Sequence, residues 1–275
     1  MKWTFILFSV QINYGNILQE SGTINPARKM MGIIDHTLLK PYSTAAQVES
    51  LIDEAAKLGT YSVCIAPLYA RLARERINSR KYDLRLAVVV DFPLGAMNTE
   101  ERNGVIKSLV NIADEIDIVV QIGTAKSGRF GDVLSDLKSV SGEAHAGNMK
   151  IKVITEDAYL TGEEKPKVYE AVFMSGADFI KTSTGFADEA YAKSIGNRTS
   201  GADIDNVKLM NDISKRLGKG NVGIKVSGGV RTYQQILDFI EASGRKPDPL
   251  QFRVGASGTA AIYEEIMKLA KLRKS

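Results

Sequence analysis

One cysteine, Cys64, in a chain of 275 residues excludes an internal disulfide and points to a reducing compartment. No apolar stretch approaches the roughly 18 residues of a membrane span. The first ten residues are apolar with a single lysine, but no Ala-x-Ala cleavage site follows them. They are read as an N-terminal arm, or as the product of a start codon placed too far upstream. The dinucleotide signature Gly-x-Gly-x-x-Gly does not stand between the first strand and helix, which argues against an open doubly wound sheet. Charge of one sign is also scarce. The net charge is only +4, and much of it sits in the tail at residues 268–274. No basic stripe is interleaved with aromatics, so a nucleic-acid partner is not expected. A cytoplasmic protein without membrane partners follows. Its mild positive field suits an anionic small substrate.

What the chain does contain is alternation. Short runs rich in Val and Ile occupy residues 33–38, 61–66, 85–91, 115–122, 150–156, 178–184, 222–227 and 251–255. Amphipathic helix patterns lie at 43–58, 99–112, 132–146, 162–175, 203–217, 232–242 and 258–272. The first of these stops at Gly59, a residue that closes helices in a left-handed conformation. Strand and helix in strict alternation mean a parallel sheet covered on both faces. Eight strand runs favour closure into a (β/α)8 TIM barrel, which fills about 250 residues as one unit. No linker or low-complexity stretch divides the chain. The expected organisation is an N-terminal extension over residues 1–30 and one barrel domain over 31–275.

Charges interrupt the strands. Asp117 sits in Glu115-Ile-Asp-Ile-Val-Val120, Lys152 in Lys150-Ile-Lys-Val-Ile154, Lys181 in Phe179-Ile-Lys-Thr-Ser-Thr184, and Lys225 in Gly223-Ile-Lys-Val-Ser227. Successive side chains of a strand point to opposite faces. Asp117 opposes Ile116, Ile118 and Val120, Lys152 opposes Ile151 and Val153, Lys181 opposes Ile180, and Lys225 opposes Val222, Ile224 and Val226. If the aliphatic face packs on helices, all four charges point into the barrel. A structural ion-pair cluster would explain this only in part, because it leaves more buried ammoniums than carboxylates. A lysine nucleophile explains the imbalance: it must be neutral, although its free pKa is about 10.4. Burial and a neighbouring ammonium both favour the uncharged amine. On these grounds either Lys181 or Lys225 could be the nucleophile.

Two glycine turns follow the last two strands: Ser227-Gly-Gly-Val-Arg231 and Gly255-Ala-Ser-Gly258. Glycine lets the backbone approach an anion, and the loops after strands seven and eight are where barrels commonly hold phosphate. With Arg231 and Ser257 beside them, these turns are the expected phosphate site.

These pieces, with Ile34-Asp-His-Thr-Leu-Leu39, Ser62-Val-Cys-Ile65, Phe92-Pro-Leu-Gly95, Ala113-Asp-Glu-Ile-Asp117 and Gly176-Ala-Asp-Phe-Ile-Lys-Thr-Ser-Thr-Gly185, resemble the deoxyribose-phosphate aldolase family. They run in order from about residue 33 to 258, over four-fifths of the chain. The longest motif is highly specific, whereas the glycine turns are shared by many barrels. The resemblance implies reversible cleavage of 2-deoxyribose 5-phosphate to acetaldehyde and glyceraldehyde 3-phosphate, without metal or organic cofactor. It implies that Lys181 forms the Schiff base, Lys225 perturbs it, and Asp117 with Lys152 relays protons. Asp35, Thr37 and Cys64 match pocket residues. Gly228, Gly229, Arg231, Gly255 and Ser257 fall at the phosphate site. A homo-oligomer is compatible with an arm over a subunit interface.

The chain departs from the family pattern in places. Gly258 stands where a second serine is common. Thr155-Glu-Asp157 replaces an apolar-Glu-Thr ending of the fifth strand, and Val226 replaces Ala or Pro. Residues 186–201 form a longer segment than usual, and no terminal Tyr follows Lys274. Three rivals stand beside this reading. They are a Schiff-base phosphosugar aldolase of transaldolase type, a phosphosugar isomerase using acid–base groups alone, and a non-catalytic phosphosugar-binding barrel.

Overall fold

The computed structural model describes residues 26–272. Its eight strands are β1 (Ile34–Leu38), β2 (Ser62–Ile65), β3 (Arg85–Val90) and β4 (Glu115–Val119), then β5 (Lys150–Ile154), β6 (Phe179–Lys181), β7 (Gly223–Ser227) and β8 (Phe252–Ala256). Each pairs in parallel with its sequence neighbours, and β8 returns to β1 to close the barrel. A helix follows every strand on the outside: Ala45–Leu58, Ala70–Arg80, Thr99–Ser108, Phe130–Ala146, Glu164–Met174, Ile204–Arg216, Tyr233–Ser243 and Thr259–Leu272. The (β/α)8 TIM barrel is therefore the fold. Among the described residues no helix is long and apolar enough to cross a membrane.

Local chemistry explains where the helices start and stop. Thr44 with Gln47, Asn98 with Glu101, and Thr232 with Gln235 each form a capping box, which satisfies free N–H groups of a first turn. Gly59 ends the first outer helix at φ 73°, in the left-handed conformation expected of it. The helix Ala70–Arg80 is not among the expected helix patterns. Four of its eleven residues are arginine, and only Ala70, Ala73 and Ile77 are buried.

Most of the core lies between barrel and helices, where the aliphatic faces of the strands meet residues such as Ile52, Leu137, Val172 and Ile236. Each such side chain contributes roughly 1.5–3 kcal/mol on burial. Inside the barrel the apolar cluster is small: Cys64, Ala87 and Val89, with Leu39 and Phe92 against them. Polar and charged side chains fill most of the remainder, with Val119, Ile154 and Phe179 among them.

Three boundaries differ from expectation or fall inside an element. β4 stops at Val119, the register partner of Ile154 at the end of β5; the Val120 N–H still donates to the Ile154 carbonyl, and Ile122 then opens the short helix Ile122–Lys126. β6 is only three residues long. Beyond it the Thr182 N–H still donates to the Lys225 carbonyl at 3.1 Å, and the Thr182 hydroxyl trades hydrogen bonds with the Ser227 backbone. The boundary expected at residue 30 falls inside the helix Pro26–Met31, whose Ala27, Met30 and Met31 are buried in the core. Residues 1–25 of the expected extension lie outside the described residues.

Candidate active site

Strand register brings the charges together. Asp117 of β4 lies opposite Lys152 of β5, and Lys181 of β6 opposite Lys225 of β7. Lys225 in turn lies opposite Arg253 of β8, and Asp35 of β1 opposite Gly255. All these charged side chains are buried. Asp117 is the hub. Its Oδ2 accepts from Lys181 Nζ at 2.7 Å and Lys225 Nζ at 2.8 Å, and its Oδ1 accepts from Lys152 Nζ at 2.8 Å. Lys225 also donates to Asp35 at 2.5 Å, and Lys152 lies 2.5 Å from Glu115. Arg253 closes the network, 2.6 Å from Asp35 and 2.7 Å from Glu115, with its guanidinium 3.8 Å from the centre of the Tyr61 ring. Gly223 makes room for this lower layer, since a Cβ there would stand 2.2 Å from the Phe179 ring.

Two of the groups in this network, Glu115 and Arg253, are absent from the sequence-based candidates. Both carried the signal that found the lysines. Glu115 shares the inward face with Asp117 by alternation, and Arg253 interrupts Phe252 and Val254 just as Lys225 interrupts its own strand. With them included, four cations (Lys152, Lys181, Lys225 and Arg253) face three carboxylates (Asp35, Glu115 and Asp117). A water-poor interior penalises the unmatched charge. The cluster balances when one lysine is neutral.

The two facing lysines are shifted in opposite directions. Burial lowers the Lys181 pKa; its one carboxylate partner, Asp117, opposes this, and the Lys225 charge lowers it further, leaving it below the ordinary lysine value. Burial also acts against Lys225, but Asp117 and Asp35 outweigh it and hold that ammonium well above the ordinary value. Lys152 is raised too, burial being overcome by Asp117 and Glu115. For Asp117, burial is overcome by the three lysines, and its carboxyl lies well below the usual range.

Other expected site residues are dispersed around this centre. Cys64 is fully buried, with its sulfur 4.0 Å from Asp117 Oδ2, and burial pushes its thiol upward. Thr37, partly buried, donates to the Asp35 carbonyl at 2.8 Å. Asp35 also accepts from Ser62 at 2.6 Å. Gly228 and Gly229, both at φ 83°, follow β7, and Gly255 lies against Lys225, where a Cβ would stand 3.4 Å from Cε. Arg231 and Ser257 are exposed on the loops after β7 and β8. His36 braces the barrel seam by bonding Thr259 at 2.8 Å. Among the described residues no group of three or more His, Cys, Asp or Glu is arranged to hold a metal ion.

A cavity of about 570 Å3 opens at the same end of the barrel, between the loops after β3, β4, β5 and β6. Glu156 and Thr184 line its buried side, and Leu94, Met97, Tyr159 and Phe186 its apolar wall. Phe186 meets Phe92 edge-on at 5.5 Å. Glu156, also absent from the sequence-based candidates, takes a left-handed backbone (φ 49°) that a non-glycine residue seldom adopts. Burial pushes its carboxyl up to about 7, although the Thr184 hydroxyl and N–H both bond it.

Fold and site together make a TIM barrel with three buried lysines gathered on one aspartate at its axis, one of them held below its ordinary pKa. The chain belongs to the DeoC/LacD family of aldolases, whose family model matches residues 29–261. It is 46% identical over 248 residues to the deoxyribose-phosphate aldolase of Thermoplasma volcanium, covering 90% of this chain and 98% of that one. The deoxyribose-phosphate aldolase of Pyrobaculum neutrophilum is 41% identical over 233 residues, covering 85% and 98%. Among solved structures, QR15, an aldolase, superposes with a TM-score of 0.73 at 30% identity, covering 90% of this chain and 99% of that one.

Proposed function

We propose that this chain reversibly cleaves 2-deoxy-D-ribose 5-phosphate to acetaldehyde and D-glyceraldehyde 3-phosphate through an imine on Lys181. Membership of the aldolase family and the close deoxyribose-phosphate aldolase relatives support the reaction. The observation that carries the mechanism is the sharing of one Asp117 oxygen by two lysines shifted in opposite directions. Lys181 is the amine held toward neutrality, and Lys225 is the fixed ammonium beside it.

In the direction of synthesis, the Lys181 amine attacks the acetaldehyde carbonyl carbon. The carbinolamine hydroxyl takes up a proton and leaves as water, giving an iminium. The iminium withdraws electrons from the adjacent methyl carbon, whose proton leaves to form an enamine. The enamine carbon attacks the aldehyde carbon of glyceraldehyde 3-phosphate, and the new alkoxide takes a proton. Water then hydrolyses the iminium and frees Lys181. Asp117, bonded to both Lys181 and Lys152, is the carboxylate through which protons reach and leave this centre. Gly228, Gly229, Arg231 and Ser257 on the loops after β7 and β8, with Gly255 near the end of β8, receive the phosphate, while Asp35, Thr37 and Cys64 bound the pocket on the β1 and β2 side. The single cysteine is buried, in keeping with a cytoplasmic enzyme.

The test is turnover across a donor panel. Release of acetaldehyde from deoxyribose 5-phosphate, abolished in Lys181→Leu, is the expected result. Cleavage of only ketose phosphates would favour the transaldolase-type rival. Tight binding of deoxyribose 5-phosphate without turnover would favour the binding barrel.

A further inference from the structure

The ending of β5, Thr155-Glu-Asp157, differs from the family pattern, and the reaction above gives it no part. It lies directly behind the nucleophile. The Thr155 N–H donates to the Lys181 carbonyl at 2.9 Å, and the Asp157 N–H donates to the Thr182 carbonyl at 3.1 Å. The Thr155 hydroxyl has three acceptors within reach: Asp157 Oδ1 at 2.6 Å, the Lys181 carbonyl at 3.1 Å and the Thr182 carbonyl at 3.4 Å. It has one hydrogen to give. Where that hydrogen goes depends on the Asp157 carboxyl. As a carboxylate, Asp157 takes it. As a carboxylic acid, Asp157 donates its own proton to Thr155 Oγ1, and the Thr155 hydrogen turns to the backbone of Lys181 and Thr182.

The surroundings of Asp157 are charged and enclosed. Its side chain is buried, and the helix Glu164–Met174 presents Tyr169 and Lys165 toward it. Asp203, at the start of the helix Ile204–Arg216, adds a second negative charge, and Glu156 is its neighbour in the chain. The long segment after β6 takes part as well. The Asn197 amide donates to the carbonyls of Asp157, Ala158 and Leu160 at 3.0–3.2 Å, and its oxygen accepts from Lys165 Nζ at 2.5 Å. The turn after β5 is thereby clamped.

We propose that Thr155 and Asp157 are a positioning pair for Lys181, in which the Asp157 proton decides whether the Thr155 hydroxyl braces the end of β6 or is held away from it. This rests on the reading of Lys181 as the imine-forming amine. Burial pushes the Asp157 carboxyl up to about 6, against the bond from Thr155. The exchange between the two arrangements thus falls in the working range of an enzyme.

The experiment follows the rate of imine formation with acetaldehyde, trapped by borohydride on the full chain, from pH 5 to pH 8. Wild type is expected to show an inflection near pH 6. Thr155→Val and Asp157→Asn are expected to lose it, and Thr155→Ser, which keeps the hydroxyl, to retain it. If Asp157→Asn fails to fold, the contrast of valine with serine at 155 decides alone. An inflection that survives in Thr155→Val, or that Thr155→Ser abolishes, overturns the inference. Absence of any trapped adduct in wild type would instead overturn the reading of Lys181 on which it rests.

Discussion

At the scale of the residue, Lys181 and Lys225 are register partners on adjacent strands and share an acceptor, yet their surroundings push them apart. Lys181 has one carboxylate contact, whereas Lys225 has two, and that difference decides which ammonium is the easier to deprotonate. Lys225→Met would remove the positive charge facing Lys181 and leave Asp117 to stabilise its ammonium. The pH profile of imine formation should then move alkaline by about one unit or more, with about a tenfold loss of rate at neutral pH. A profile unmoved by the substitution would contradict this role. Glu156 gives a second test. Its folded carboxyl keeps its proton to about pH 7, while an ordinary glutamate loses it near 4.5. Between these values the folded state holds more protons, so its contribution to stability falls as pH rises and levels off above 7. Glu156→Gln should flatten the loss of stability between about pH 4.5 and pH 7, by on the order of 1–3 kcal/mol. Equal slopes for mutant and wild type in chemical denaturation would rule this out.

At the scale of the element, Lys181, Lys225, Lys152 and Asp117 were legible because each breaks an aliphatic run at a period that points it inward. Arg253 and Glu115 bore the same mark, but their significance lies in closure. Only when β8 returns to β1 does Arg253 meet Asp35, and only the register of β4 with β5 sets Glu115 beside Lys152. Strand ends were less legible. Ile122 extends an aliphatic run yet begins a helix, from which it packs half-buried against the core. The left-handed backbone of Glu156 left no trace in the residue type; its contacts are to Thr184, on a different loop. The cluster's lower layer offers a structural test. Gly223→Ala would drive a Cβ to 2.2 Å from the Phe179 ring, which itself faces Arg253. Destabilisation of about 1–3 kcal/mol is expected by thermal or denaturant unfolding, and a neutral result would mean that β6 and β7 yield more easily than their packing indicates.

At the scale of the whole molecule, the charged network is also what spans the barrel. Arg253 joins β8 to β1 through Asp35 and to β4 through Glu115, so one guanidinium bridges strands on different sides of the axis. Arg253→Leu would leave two buried carboxylates short of a partner and should cost about 3–5 kcal/mol in global stability. The same change removes the surplus cation, so it should also favour the ammonium form of Lys181 and slow imine formation at neutral pH. A stable variant with undiminished rate would break the link drawn here between charge balance and a neutral amine. The most direct measurement of that link is the site of the adduct. The protein is incubated with acetaldehyde, reduced with borohydride, and digested for peptide mass spectrometry. The account predicts one ethyl group on Lys181, absent in Lys181→Leu; an ethyl group on Lys225, or none on either lysine, would contradict it.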